Sequence, residues 1–156
     1  MPIALRAAHP QDAEAVAQVL CESRRVFLPF APMAHPPDEV QAWIASALIP
    51  GGGVTIATRA GQAVAMLALS GDDPCRWINQ LCVMPGHTGL GFGAQLLRFA
   101  HDTLPPPIRL YTFQANSGAR RFYERHGYQA IASSDGAGNE ERSPDVLYEW
   151  RGGGPG

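Results

Sequence analysis

The sequence predicts a mixed α/β domain, a central and mostly antiparallel sheet of six to seven strands with helices on both faces, in the order β-α-α-β-β-β-α-β-α-β-β. Three observations carry this prediction. Two apolar runs, residues 54–59 and 62–70, are separated only by Ala60-Gly61, which is hairpin spacing. A third run, residues 76–84, stops at Pro85 and passes through Gly89, Gly91 and Gly93 into an amphipathic helix. That helix is followed by a further strand pattern at residues 108–114, so a crossover through it is expected if the flanking strands are parallel.

Each element has its own local reason. Residues 3–8 read as a first strand. His9-Pro10-Gln11-Asp12 then opens a helix with an acidic first turn, whose apolar face is Ala13, Val16, Val19 and Leu20. Residues 28–37 hold four prolines and cannot continue that helix. Asp38-Glu39 start a second helical segment using Val40, Trp43, Ile44 and Ala47, closed by Pro50-Gly51-Gly52-Gly53. In the hairpin the second strand is apolar on both faces, as a central strand is. Gly71-Asp72-Asp73-Pro74 makes a turn. Simple alternation along residues 76–84 places Trp77, Asn79, Leu81 and Val83 on one face, and Ile78, Gln80, Cys82 and Met84 on the other. From Gly91 to Thr103 a helix presents Phe92, Leu96, Phe99 and Ala100, and Pro105-Pro106-Pro107 ends it. After the strand at 108–114, Asn116 is an N-cap and Gly127 a left-handed stop for a last helix. Residues 128–132 and 146–150 are the closing strands, with a polar, Gly-rich stretch between them. Residues 1–151 form one domain, and residues 152–156 are a Gly/Pro tail.

Composition narrows the class. A hydrophobic content of 46% with 17% charged residues is that of a globular domain with a substantial core. A formal net charge of −2 argues against a nucleic-acid surface. No apolar run has the length of a membrane span, and the N-terminus lacks the pattern of a signal peptide. Three cysteines, Cys21, Cys75 and Cys82, leave one unpaired and show no C-x-x-C spacing, so free thiols in a reducing, cytoplasmic setting are expected. Five scattered histidines suggest no metal site.

The candidate site is the junction at residues 81–97. Glycines this dense before a helix leave its first N–H groups unscreened, and with the helix dipole these suit a phosphate or pyrophosphate. The plain alternative is a Gly-rich connection with no ligand. A Walker-type loop is ruled out by the missing Lys followed by Ser or Thr. Gly89, Gly91 and Ala94 satisfy a dinucleotide pattern. However, Pro85-Gly86-His87-Thr88 separate strand from glycine, and the position about 20 residues on, where an acid should hold the ribose, falls near Arg109.

The apolar-x-Val-x-Pro run, short loop, Gly-x-Gly-x-Gly and apolar helix resemble the central motif of the GNAT acetyltransferases. Residues 116–128 (NSGARRFYERHGY) resemble that family's second motif, Asn…Ala…Phe-Tyr…Gly-Phe/Tyr. The two blocks occur in the expected order, and the resemblance extends over residues 3–150, weakly before Val54. It implies acetyl-CoA as co-substrate, with the pyrophosphate on the N–H groups of Thr88, Gly89, Leu90, Gly91, Phe92, Gly93 and Ala94. Pantetheine would run beside Leu81, Cys82 and Val83 like an added strand. Asn116, Arg120 and Tyr123 fall on one face of the last helix and are the implied contacts from it, with Ala119, Phe122 and His126 on a neighbouring face suited to the core. Tyr123 is the implied general acid for the CoA thiolate. Where the family commonly carries Arg or Gln this chain has Thr88, which brings a hydroxyl but no charge; His87 or Arg98 is the expected compensating base.

For the acceptor, the implied substrate is a primary amine of a small molecule or peptide, and the family's habits allow a homodimer. A non-catalytic acyl-CoA-binding module with the same groove is the alternative. The base is open: Asn79 and Gln80 can only orient a water, while Asp72, Asp73, Glu140, Glu141 and Asp145 are acidic alternatives in loops. The two helical segments flanking the proline-rich residues 28–37 offer a wall for the acceptor, and Arg24 and Arg25 can meet an acidic one.

Overall fold

In the computed structural model, residues 3–28, 35–71, 75–138 and 142–152 are described. The proline-rich residues 29–34, Asp72, Asp73, Glu140, Glu141 and the end of the tail lie outside them. Strand β1 (Ile3–Ala7) leads through a short turn at residues 10–12 into helix α1 (Ala13–Phe27). The turn is fixed by Asp12, whose carboxylate accepts from the His9 N–H at 2.7 Å and pairs with Arg6 at 2.9 Å. Helix α2 (Pro37–Trp43) continues into a wider turn at residues 44–48, where the Ile49 N–H reaches back to the Ile44 carbonyl.

Strands β2 (Val54–Arg59) and β3 (Gln62–Ser70) form the expected hairpin, with Ala60 and Gly61 both at positive φ. The two-residue turn with both centres left-handed matches the twist of the strands it joins. Then come β4 (Arg76–Val83), α3 (Phe92–Thr103), β5 (Ile108–Phe113), α4 (Ser117–Arg125), β6 (Gln129–Ser134) and β7 (Asp145–Trp150). The sheet order is β1-β2-β3-β4-β5-β7-β6, with β4 and β5 parallel and every other pair antiparallel. The mixed, mostly antiparallel sheet and its helical layers are those predicted.

Two apolar layers hold the helices on. Val16, Leu20, Val40 and Ile44 pack with Ile56, Met66 and Cys82 on one face. On the other, Phe92, Leu96, Leu97 and Ala100 of α3 meet Leu67, Leu69, Ile108 and Leu110. Phe99, expected in this stripe, is only partly buried, and Leu97 takes its place. At the far end of α3, the His101 ring lies 3.7 Å from the Trp150 ring, parallel to it, with Nε2 2.9 Å from the Tyr128 hydroxyl.

One expectation about β4 is corrected. Ala68 pairs with Gln80 but Leu69 pairs with Ile78, so Asn79 is an extra residue, a bulge. Ile78 therefore shares a face with Leu81 and Val83, beside α3, while Gln80, Cys82 and Met84 face α1. Strict alternation had put Ile78 with Cys82. The bulge leaves Asn79 exposed, its amide donating to the Ser70 hydroxyl at 2.6 Å.

Candidate active site

The sheet opens in its middle. Strands β4 and β5 pair only at Arg76↔Ile108 and Trp77↔Arg109. Beyond Trp77 the edge of β4 that faces β5 therefore has main-chain groups outside the ladder, as does β5 beyond Arg109. The opening is a cavity of about 1310 Å³. Its floor includes Leu81, Cys82 and Val83, and its α3 end includes Thr88, Gly89, Gly91 and Gly93.

The loop into α3 is shaped by its glycines. Gly86, Gly89 and Gly91 take φ of 89°, 78° and 90°, a region L side chains rarely adopt. Gly91 is the N-cap of α3, so the left-handed residue directly precedes the helix and turns its first N–H groups outward without a capping side chain. A Cβ at Gly89 or Gly91 would meet nothing within 4 Å, so the space above them is open. At Gly93 a Cβ would come into ordinary contact with the Phe122 ring at 3.4 Å, which marks how closely α3 lies to α4. The cradle fits a pyrophosphate, and the unpaired edge of β4 fits an extended amide-bearing arm.

Helix α4 supplies the opposite wall. The Asn116 side chain accepts from the Ala119 N–H at 3.2 Å, the predicted cap, and Gly127 follows at φ 92°. Asn116, Ala119, Phe122 and Tyr123 all line the cavity. Tyr123 is 8% exposed, more buried than Phe122 and Ala119, which were expected to carry the core face. Its ring sits among Phe122, Tyr128 and Tyr148. Burial first, and the neighbouring Cys82 next, push its phenol well above the ordinary value, so it holds its proton throughout the neutral range. The same burial raises the Cys82 thiol to about 11, which keeps that sulfur a neutral wall atom.

Two predicted contacts stand apart from the cavity lining. Leu90 points to solvent, half exposed. Arg120 turns to the core: its Nε donates to the Tyr148 hydroxyl at 3.1 Å, and that hydroxyl donates to Glu124 at 2.6 Å. Arg120 thus braces α4 against β7. Arg24 and Arg25 also separate. Arg25 pairs with Glu22 at 2.8 Å on the surface, whereas Arg24 lines the cavity with its guanidinium 5.9 Å from the centre of the Phe113 ring. Asn79, Gln80 and Asp145 line it too, and Asp145 is the only acidic side chain among the described lining residues. It accepts from the Ser134 hydroxyl at 2.7 Å. His87 is in the loop wall, its Nδ1 buried without a hydrogen-bond partner.

The sequence reading missed the aromatic side of the opening. Tyr111, Phe113 and Phe27 line it. The available signal was the alternation of residues 108–113 (IRLYTF), where Tyr and Phe fall opposite Ile108 and Leu110. Among the described residues no group of His, Cys, Asp and Glu is placed to hold a metal ion, and no helix is long and apolar enough to cross a membrane.

Residues 17–128 match the family model described as "Acetyltransferase (GNAT) family". The chain belongs to the GNAT acetyltransferases. Its fold is similar to that of apo YjaB from Escherichia coli, at 20% identity and TM-score 0.77 over 96% of this chain and 98% of that one. It is also similar to a PaiA N-acetyltransferase from Thermoplasma acidophilum in complex with coenzyme A (19%, TM-score 0.74, 97% and 100% covered). A third similar structure is Arabidopsis thaliana Naa50 with a bisubstrate analogue, CoA-Ac-MVNAL (17%, TM-score 0.69, 96% and 98% covered). No individual curated protein matches the chain by sequence.

Proposed function

We propose that this protein transfers an acetyl group from acetyl-CoA to a primary amine, both held in the opening between β4 and β5. The observation that carries the reading is the short β4–β5 pairing, which ends at Trp77 and Arg109 and leaves the rest of β4 open up to the glycine cradle that precedes α3. Family membership, and similar structures described with coenzyme A or a CoA-peptide analogue, support it.

In this reading the N–H groups from Thr88 to Ala94 receive the pyrophosphate, and Leu81, Cys82 and Val83 pair with pantetheine through their main chain. Asn116 and Tyr123 face it from α4. Thr88 supplies a neutral donor where a charged one is common in the family, and His87 and Arg125, both lining the cavity, supply basic character instead of Arg98. The amine lone pair attacks the thioester carbonyl, a C–N bond forms, and the C–S bond breaks. The Tyr123 hydroxyl gives its proton to the departing sulfur. The proton lost by nitrogen leaves through water oriented by Asn79 and Gln80, or through Asp145. Holding thioester and amine together supplies up to about 7–11 kcal/mol of the barrier reduction, so positioning outweighs any single proton transfer.

Calorimetry with CoA tests the reading, with binding expected in the micromolar range and release of CoA thiol from acetyl-CoA when amines are supplied. Absence of CoA binding at millimolar concentration overturns it. CoA binding with no thiol release to any amine favours the non-catalytic acyl-CoA module.

A further inference from the structure

The cavity continues through the sheet to the α1 side, and the walls there differ from those around the glycine cradle. On β5, Leu110 belongs to the core beneath α3, so Tyr111 and Phe113, one and three residues further along, face α1. Tyr111 is 59% exposed, yet its ring is fixed, stacked on Trp77 with centroids 5.5 Å apart and planes 10° from parallel. Phe27, at the last turn of α1, is 41% exposed and lines the same space, with Leu28 beside it. Single exposed apolar residues are ordinary, whereas a group of them lining one opening marks a ligand-binding site. Here two of them line one opening that also reaches the glycine cradle.

Charge at the opening points the same way. The described lining residues include two guanidinium groups, Arg24 and Arg125, against one carboxylate, Asp145. With Arg125 given to the CoA phosphates, the described acceptor side keeps Arg24 and Asp145, and the further ammonium groups of a polycationic acceptor would face rings where several carboxylates are needed.

Resting on the acetyl-transfer reading, we propose that the acceptor is an arylalkylamine-type monoamine: one primary amino group on a short arm, carrying a flat apolar ring that packs between Tyr111 and Phe27. The ring enters beside the Trp77–Tyr111 stack, where offset or edge-on contact with aromatic partners is favourable. The amino group then reaches the level of Gln80 and Cys82 on β4. The products are the N-acetylated arylalkylamine and the free CoA thiol, with no other reactant.

The test is initial-rate kinetics with acetyl-CoA and three acceptors, 2-phenylethylamine, hexylamine and spermidine, with CoA calorimetry in parallel. The expected kcat/KM for 2-phenylethylamine exceeds that for spermidine at least about tenfold, and Tyr111→Ala raises the 2-phenylethylamine KM by about tenfold while CoA affinity stays unchanged. Tyr111→Phe, which keeps the ring on Trp77, restores the KM. Spermidine used as well as or better than 2-phenylethylamine overturns the proposal, as does a KM that Tyr111→Ala does not move. CoA binding with none of the three amines acetylated overturns it alone; no CoA binding removes the acetyl-transfer reading and this proposal together.

Discussion

Gly91 stands at φ 90° immediately ahead of Phe92, whose side chain is buried at the first position of α3. The left-handed residue thus lets the helix begin with an anchor inside and its leading N–H groups outside. Gly91→Ala would impose about 1–3 kcal/mol of backbone strain. Its thermal midpoint should fall, and its CoA dissociation constant should rise by about tenfold or more as the cradle loosens. Gly93→Ala is the contrast, because its added methyl only comes into contact with Phe122 at 3.4 Å. That variant should keep its midpoint, as read by calorimetric unfolding.

Thr88 lines the cavity as an uncharged donor. Hydrogen bonds to charged groups contribute about 1.5–3 kcal/mol against about 0.5–1.5 for neutral pairs. Thr88→Arg should therefore tighten CoA binding by about tenfold, with an added salt dependence. Unchanged or weaker binding in titration calorimetry would show that this position does not face the phosphates.

Tyr123 is predicted to act on turnover and not on binding. Tyr123→Phe keeps the ring among Phe122, Tyr128 and Tyr148 and removes only the hydroxyl. The expected loss in kcat is about a hundredfold or more, the usual worth of a general acid, with CoA affinity little changed. Full activity across the pH range would remove the role.

His101 gives a pH prediction for stability. Burial first, and the nearby His126 next, lower it to about 4 from an ordinary 6.5, with Asp102 acting weakly the other way. The unfolded chain therefore binds the proton more readily between these values, and stability rises with pH across that window. Stability is whole above about 6.5 and is lost as pH falls toward about 4. His126 is lowered too and adds in the same direction. Asp12, lowered to about 2 by Arg6, acts in a separate window below 3.8. Thermal midpoints from neutral pH downward should show the His101 slope, and His101→Gln should flatten it.

Much of this was legible in the sequence. Ala60-Gly61 between two apolar runs fixes a hairpin by itself, and the Gly89–Gly93 run with the Phe122-Tyr123 pair points to the candidate site, because local turn and cap chemistry is written in consecutive residues. Asn116 and Gly127 are read the same way. What escaped depends on pairing at a distance. The bulge at Asn79 is set by how β4 meets β3, and no composition rule marks it. Arg120 falls on the Tyr123 face by helical spacing, yet its guanidinium is drawn to Tyr148, a partner twenty-eight positions on. Tyr111 looks like an ordinary strand residue until the parting of β4 from β5 leaves it beside an open space.

The single surplus residue in β4 acts as a phase shift along the strand. Before it, odd numbers look toward α1; after it, even numbers do. Take Asn79 out and plain alternation returns from Ile78 to Gln80, with Leu81 and Val83 still beneath α3 and Gln80 and Cys82 still toward α1. Asn79 is thus a chamber-wall position whose loss or exchange turns over no other lining residue of β4.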